Sequence, residues 1–194
     1  VPVLLGAHEL YHWSHADAVA HDELLQAKQP FLNMPFFTIR TVFYFLVWTG
    51  LVLLYYHRSV LNDYTGDVER LNSLRRWSPP AMILFALTLT FASFDWMMSL
   101  DPHWYSTIYG VYYFAGSVTA AISVLILLVV WLSERGPLHG MVSVEHIHDL
   151  GKLLFTFTVF WAYMAFSQYF LIWYANIPEE TVWFLHRWQG SWKV

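Results

Sequence analysis

Asp95, Asp101 and His103 stand close together in Phe94-Asp95-Trp96-Met97-Met98-Ser99-Leu100-Asp101-Pro102-His103-Trp104-Tyr105-Ser106-Thr107-Ile108-Tyr109-Gly110, between two apolar runs of helix length. A carboxylate near hydrocarbon is costly unless something pairs with it, so Asp95 is a functional candidate. The plain alternative is an interfacial residue that ends a helix. The chemistry this set suits is the handling of a quinol or of protons. Asp95 or His103 takes a hydroxyl proton, while Trp96, Trp104 and Tyr105 supply an aromatic wall. A base of this kind must lie within hydrogen-bond reach of the proton it accepts.

Three other groups carry weaker signals. His8-Glu9-x-x-His12 has the spacing of a zinc protease, with two histidines for the metal and a glutamate for water. On one helix, His8, His12 and His15 share a face. Ten histidines make a chance match easy, and no third ligand stands in a convincing context. The alternative is a helix end at an interface, with Tyr11 and Trp13 in the aromatic belt. His146-x-His148-Asp149 is a short metal-like spacing that reads better as a polar helix start, with Asp149 near an N-terminus. Lys152, Thr156, Tyr163 and Ser167 fall within one narrow arc of a helix. They suit a hydrogen-bonded proton path and, equally, plain interhelical hydrogen bonding.

The elements that position these residues are membrane spans. The chain is 57% hydrophobic, 20% aromatic and 12% charged, well below the quarter or so of charged residues usual in soluble domains. Apolar runs predict four complete spans, at about 36–57, 80–100, 107–132 and 150–174, in one all-α integral-membrane domain covering 1–194. Partial helices flank them: Val1 to Gly6 reads as the tail of a preceding helix, and a new one begins near Val194. The expectation is a fragment of a larger subunit. Residues 16–35 and 58–79 read as polar loops, and Pro79-Pro80 as the first turn of the second span.

Thr88, Ala92, Asp95 and Ser99 share a face of the second span that should turn inward. Tyr109, Tyr113, Gly116, Ala120 and Ser123 line a face of the third, for close packing or for a cavity beside Asp95. The short Asp101-Pro102-His103 turn makes these two spans antiparallel neighbours. Arg58, Arg70, Arg75, Arg76, Arg135 and Lys152 outweigh Lys28, Arg187 and Lys193, which places the first group in the cytoplasm and Asp95 to His103 at the outer face. Arg40 and Asp95 then lie at matched depth and should pair, with snorkelling of Arg40 to the headgroups as the alternative.

The absence of cysteine removes disulfides, iron–sulfur clusters and covalently held haem from this chain. No histidine lies deep in a span, as haem b between helices would need. A net charge of −4, spread over short loops, argues against a nucleic-acid partner. What remains is a quinone pocket, a proton route or a scaffold for electron-carrying partners.

Ser93 to Gly110 resembles the membrane subunits of bacterial alternative complex III. So do Glu145-His146-Ile147-His148-Asp149-Leu150-Gly151-Lys152, Phe160-Trp161-Ala162-Tyr163, Ser167-Gln168-Tyr169 and Ile172-Trp173-Tyr174-Ala175-Asn176-Ile177-Pro178-Glu179-Glu180, and the opening Tyr11-His12-Trp13-Ser14-His15. The resemblance covers nearly the whole chain. It is nearest to the quinone-binding subunit 2 type, related to the polysulfide-reductase membrane anchor. It implies a helical bundle in a bacterial inner membrane and menaquinol as donor. It also implies partner subunits carrying c-type haem and iron–sulfur clusters, and a larger homologous membrane subunit. From the residues themselves, Asp95, His103, Arg40, Trp104 and Tyr105 are the quinol or proton-exit candidates. Lys152, Thr156, Tyr163 and Ser167 are the inner proton-path candidates, and no metal is assigned. The rivals are a pure scaffold or ion-conducting bundle, and a zinc protease using His8, Glu9 and His12.

Overall fold

The computed structural model describes residues 2–66 and 68–188. Lys193 and the helix start expected near Val194 lie outside the described residues. The described chain is all-α, and four of its helices are long and apolar enough to cross a membrane. The sequence reads as a single domain. The contacts divide it into two compact units, residues 1–105 and 106–194.

The first unit starts with four short helices, α1 (Pro2–Leu5), α2 (Ala7–Leu10), α3 (Ala16–Ala20) and α4 (Glu23–Lys28). The polar loop expected over residues 16–35 is therefore partly helical. Asp22 starts α4 as its N-cap, with Oδ1 accepting from the backbone N–H groups of Leu24 (2.9 Å) and Leu25 (3.2 Å). These segments pack through Ala7, Tyr11, Trp13, Leu25, Leu32 and Phe37, all buried.

Two long helices follow, α5 (Met34–Thr65) and α6 (Val68–Trp96). Asn33 caps α5 by accepting from the Phe36 N–H at 3.0 Å. Among the described residues, the stretch expected as a polar loop over 58–79 is helical apart from Gly66. α5 runs on to Thr65, and its carbonyl ladder closes at Gly66, where φ is 61°, a left-handed value that glycine adopts without a Cβ penalty. At 1.5 Å per residue the 32 residues of α5 span about 48 Å, well beyond a hydrocarbon core of about 30 Å. Its polar end therefore extends past the bilayer as helix rather than loop. Pro79 and Pro80 lie inside α6, not in its first turn, and deprive the preceding turn of two hydrogen bonds.

α5 and α6 are antiparallel, and polar contacts ladder along their length. Trp96 Nε1 donates to Thr41 Oγ1 (3.2 Å) and Trp48 Nε1 to Thr88 Oγ1 (3.0 Å). Tyr55 donates to Ser78 (3.3 Å) and Arg58 to Ser73 (3.0 Å). Thr88, Ala92, Asp95 and Ser99 are all buried, as their shared face predicts.

The second unit is built on α7 (Tyr109–Arg135) and α8 (Val144–Ala175), with the short α9 (Pro178–Arg187) after it. The long pair packs along small residues and rings. A Cβ on Gly116 would stand 3.0 Å from Trp161 Nε1, and Trp161 stacks on Tyr112 with ring centres 5.8 Å apart. The contact face of α7 runs through Tyr112, Ala115 and Gly116. Of the expected face, Tyr109 is buried and Gly116 meets Trp161, while Ala120 is exposed; Ala115, beside that face, is buried as well. α8 begins at Val144, earlier than expected, with the Ser143 N–H donating to His146 Nδ1 at 3.1 Å. Asn176 ends it in a left-handed conformation, φ 49°.

Candidate functional site

Arg40 lies six residues into α5, roughly 9 Å along the helix, and Asp95 lies in the last turn of α6. The antiparallel register brings them together. Arg40 Nε donates to Asp95 Oδ2 at 2.9 Å and Nη2 to Oδ1 at 2.8 Å, a two-pronged pair. Tyr44, one helical turn on from Arg40, donates its hydroxyl to Oδ2 at 2.7 Å. Arg40 Nη1 donates to the Phe31 carbonyl at 3.0 Å, and the guanidinium sits in the corner of the perpendicular Phe31 and Phe36 rings, 3.9 and 4.3 Å from their centres. The pairing expected from matched depth is present, and Arg40 turns inward rather than snorkelling. Asp95 is fully buried, with both carboxylate oxygens engaged.

In front of this cluster is a cleft of about 380 Å³, inside the size range of small-molecule sites. One wall is the segment leading into α5, with Ala27, Lys28, Pro30, Phe31 and Leu32. The other is Phe94 and the stretch after α6, with Met98, Ser99, Pro102, Trp104 and Tyr105. Asp95 lies behind this second wall: the Ser99 hydroxyl lines the cleft and donates to the Asp95 backbone carbonyl. Arg40 lies behind the first, through the Phe31 carbonyl. The buried ion pair thus braces both walls from the rear.

At the rim the walls are joined directly. Lys28 Nζ donates to the Pro102 carbonyl at 2.5 Å and stands 5.5 Å from the centre of the Tyr105 ring. His103 Nε2 meets Asp22 Oδ2 at 2.5 Å, so His103 pairs with the α4 cap and not with Asp95. The hydrogen bond from His103 holds the Asp22 carboxyl below its usual range. Burial lowers the Lys28 amine, while Asp101 and Asp22 pull it the other way. Tyr11, pushed up to about 12 by burial and then by Asp95, stays a phenol and donates to the Trp96 carbonyl at 3.1 Å. Trp104 is buried and Tyr105 more than half exposed, so the expected aromatic wall is part core and part surface.

The other groups are placed differently. The helix that would align His8 with His12 stops at Leu10, because Tyr11 turns into the core and the backbone becomes extended there. His8 and His15 stack face to face, 4.1 Å between ring centres, and His8 Nδ1 lies 3.2 Å from Ser14 Oγ. Among the described residues no three potential ligands converge on a metal position, at these histidines or at His146 to Asp149. The three imidazoles do gather, with His15 4.1 Å from His8 and 6.3 Å from His12 between ring centres, but on a broken backbone and not on one helix face. On α8, Lys152 pairs with Asp149 at 3.0 Å, and Thr156 donates to the Lys152 carbonyl at 2.8 Å. Thr156 and Tyr163 are about 10 Å apart along the helix, too far for a direct link. Tyr163 is largely exposed and Ser167 half-buried. Tyr109 and Tyr113 belong to the second unit, Asp95 to the first.

Sequence reasoning missed Asp22, Lys28 and Phe31, which sit in the stretch read as a loop. The one available signal was Asp22 ahead of Glu23 and Leu24, a helix-cap pattern. No protein-family model matches the chain, and no curated protein matches it.

Proposed function

We propose that this chain is a membrane subunit of a bacterial quinol-oxidising respiratory complex, and that the cleft of the first unit receives the quinol head group. The observation that carries the reading is the cleft itself. It is apolar and aromatic, it lies where α5 begins and α6 ends, and a lysine stands at its rim. The resemblance of Ser93 to Gly110 to alternative complex III supports the same assignment, because that motif supplies most of one wall. Menaquinol is the proposed donor. Electrons pass to c-type haem and iron–sulfur partners, alongside a larger membrane subunit in the inner membrane.

Within this reading the chain's residues divide the work. Phe31 and Phe94 pack on the ring, and Tyr105 covers it from the surface side. Arg40, Asp95 and Tyr44 hold the two walls at a fixed separation. Asp95 acts as a positioning residue, since its oxygens are already engaged. His103, which follows the lining residue Pro102, pairs with Asp22, and this couple is suited to pass a released proton outward.

The test is purification of the tagged full chain from its native membrane in mild detergent, with a visible spectrum and identification of accompanying subunits. Co-purifying c-type haem and an iron–sulfur subunit is the expected result. A lone, colourless protein overturns the assignment.

A further inference from the structure

The cleft has few polar groups, and they are not equivalent. The Ser99 hydroxyl is directed at the Asp95 carbonyl. Tyr105 presents a ring that is more than half exposed. Lys28, at the end of α4, is half-buried against the cleft, and Pro102 accepts one bond from its amine. An ammonium carries three donors, so Lys28 has capacity for a ligand oxygen. The charges around it decide what kind. Lys28 is the one charged side chain among the cleft's lining residues, so no second cation is there to hold an anionic head group, and Asp101 and Asp22 act on the same amine. A neutral ring ligand whose oxygen accepts a hydrogen bond fits both the apolar walls and this field.

We infer that Lys28 is the specificity-determining anchor of the cleft, holding a carbonyl or hydroxyl oxygen of an otherwise apolar ring ligand. This rests on reading the cleft as the quinol site and names the residue that selects the head group there. Lys28 touches both walls, through α4 and through Pro102 and Tyr105. A ligand oxygen on the amine therefore also secures the Pro102 turn over the ring.

The test uses two probes on the full chain purified with its accompanying subunits: a short-chain naphthoquinone, and a methylnaphthalene with the same rings and no oxygen. Binding is read by calorimetry. A hydrogen bond from a charged donor sets the expected change: Lys28→Met weakens the naphthoquinone tenfold or more. The methylnaphthalene stays within about twofold, because apolar burial does not use the amine. Lys28→Arg, which keeps charge and donors, recovers most of the naphthoquinone affinity. Equal weakening of both probes would make Lys28 a shaping residue only and overturn the inference. So would unchanged naphthoquinone binding in Lys28→Met, with the quinol reading left standing. Failure of the unsubstituted protein to bind naphthoquinone overturns the quinol reading itself, and the anchor with it.

Discussion

The two units place polar residues at bilayer depth in opposite ways. In the first, Arg40, Asp95 and Tyr44 are buried and bond to one another between helices. In the second, Thr156 and Thr158 donate to carbonyls of their own helix, at 2.8 and 2.7 Å, and α7 and α8 are joined by small residues and rings. A hydroxyl can satisfy itself within its own helix, but a guanidinium or carboxylate in hydrocarbon cannot. Charges therefore report long-range partners, whereas a hydroxyl at helical spacing does so only where the facing helix offers a donor, as Trp48 does for Thr88.

The sharpest way to break this contrast is to strip one charge from the first unit. Arg40→Met leaves Asp95 buried without its counter-ion, and a loss of about 3–5 kcal/mol is expected in detergent unfolding. Arg40→Met combined with Asp95→Leu should recover most of it, because the cost lies in the orphaned charge. Additive losses in the double variant would contradict a coupled pair. Next comes Tyr44→Phe, which removes a hydroxyl bond to a buried carboxylate, with about 1.5–3 kcal/mol expected.

In the second unit the sensitive position is a glycine. Gly116→Val pushes into Trp161 and should cost about 1–3 kcal/mol, with a change in tryptophan fluorescence. A smaller effect is expected at the rim. The Asp22 carboxyl is depressed by His103, so its contribution is present above the unfolded value, near 3.8, and is lost as pH falls through the folded one. Proteolysis of the 98–105 segment should rise on acidification below about pH 4, and Asp22→Asn should remove that dependence. The smallest effect belongs to Thr156→Val, within about 0.5 kcal/mol of zero in the same unfolding measurement. A large loss there would restore α8 as a polar interface.

How much of this was legible follows the same division. The four spans and the inward face through Thr88 and Asp95 follow from hydropathy and period. The Arg40–Asp95 pair follows from matched depth. The helical ends of α5 and α6 were not legible, because stretches rich in polar residues look like a loop although the Arg, Glu and Leu in them form helix readily beyond the bilayer. The cleft was half legible. Trp104 and Tyr105 stood in the motif, but the facing wall comes from Lys28 and Phe31, distant in sequence and joined to the Pro102 turn only by the fold. Periodicity carries no information about such a contact. The zinc spacing failed for a related reason: the pattern needs a continuous helix, and the burial of Tyr11 ends it.

The most direct test of the central claim fills the cleft and leaves its bracing intact. Ala27 lines it from the exposed side of α4, so Ala27→Trp adds bulk without touching Arg40, Asp95 or Tyr44. Quinol oxidation by native membranes carrying this variant, with the accompanying subunits still assembled, is the measurement. Loss of most quinol oxidation is the expected result. Undiminished oxidation would show that quinol reacts elsewhere, and would leave the first unit as a structural bundle.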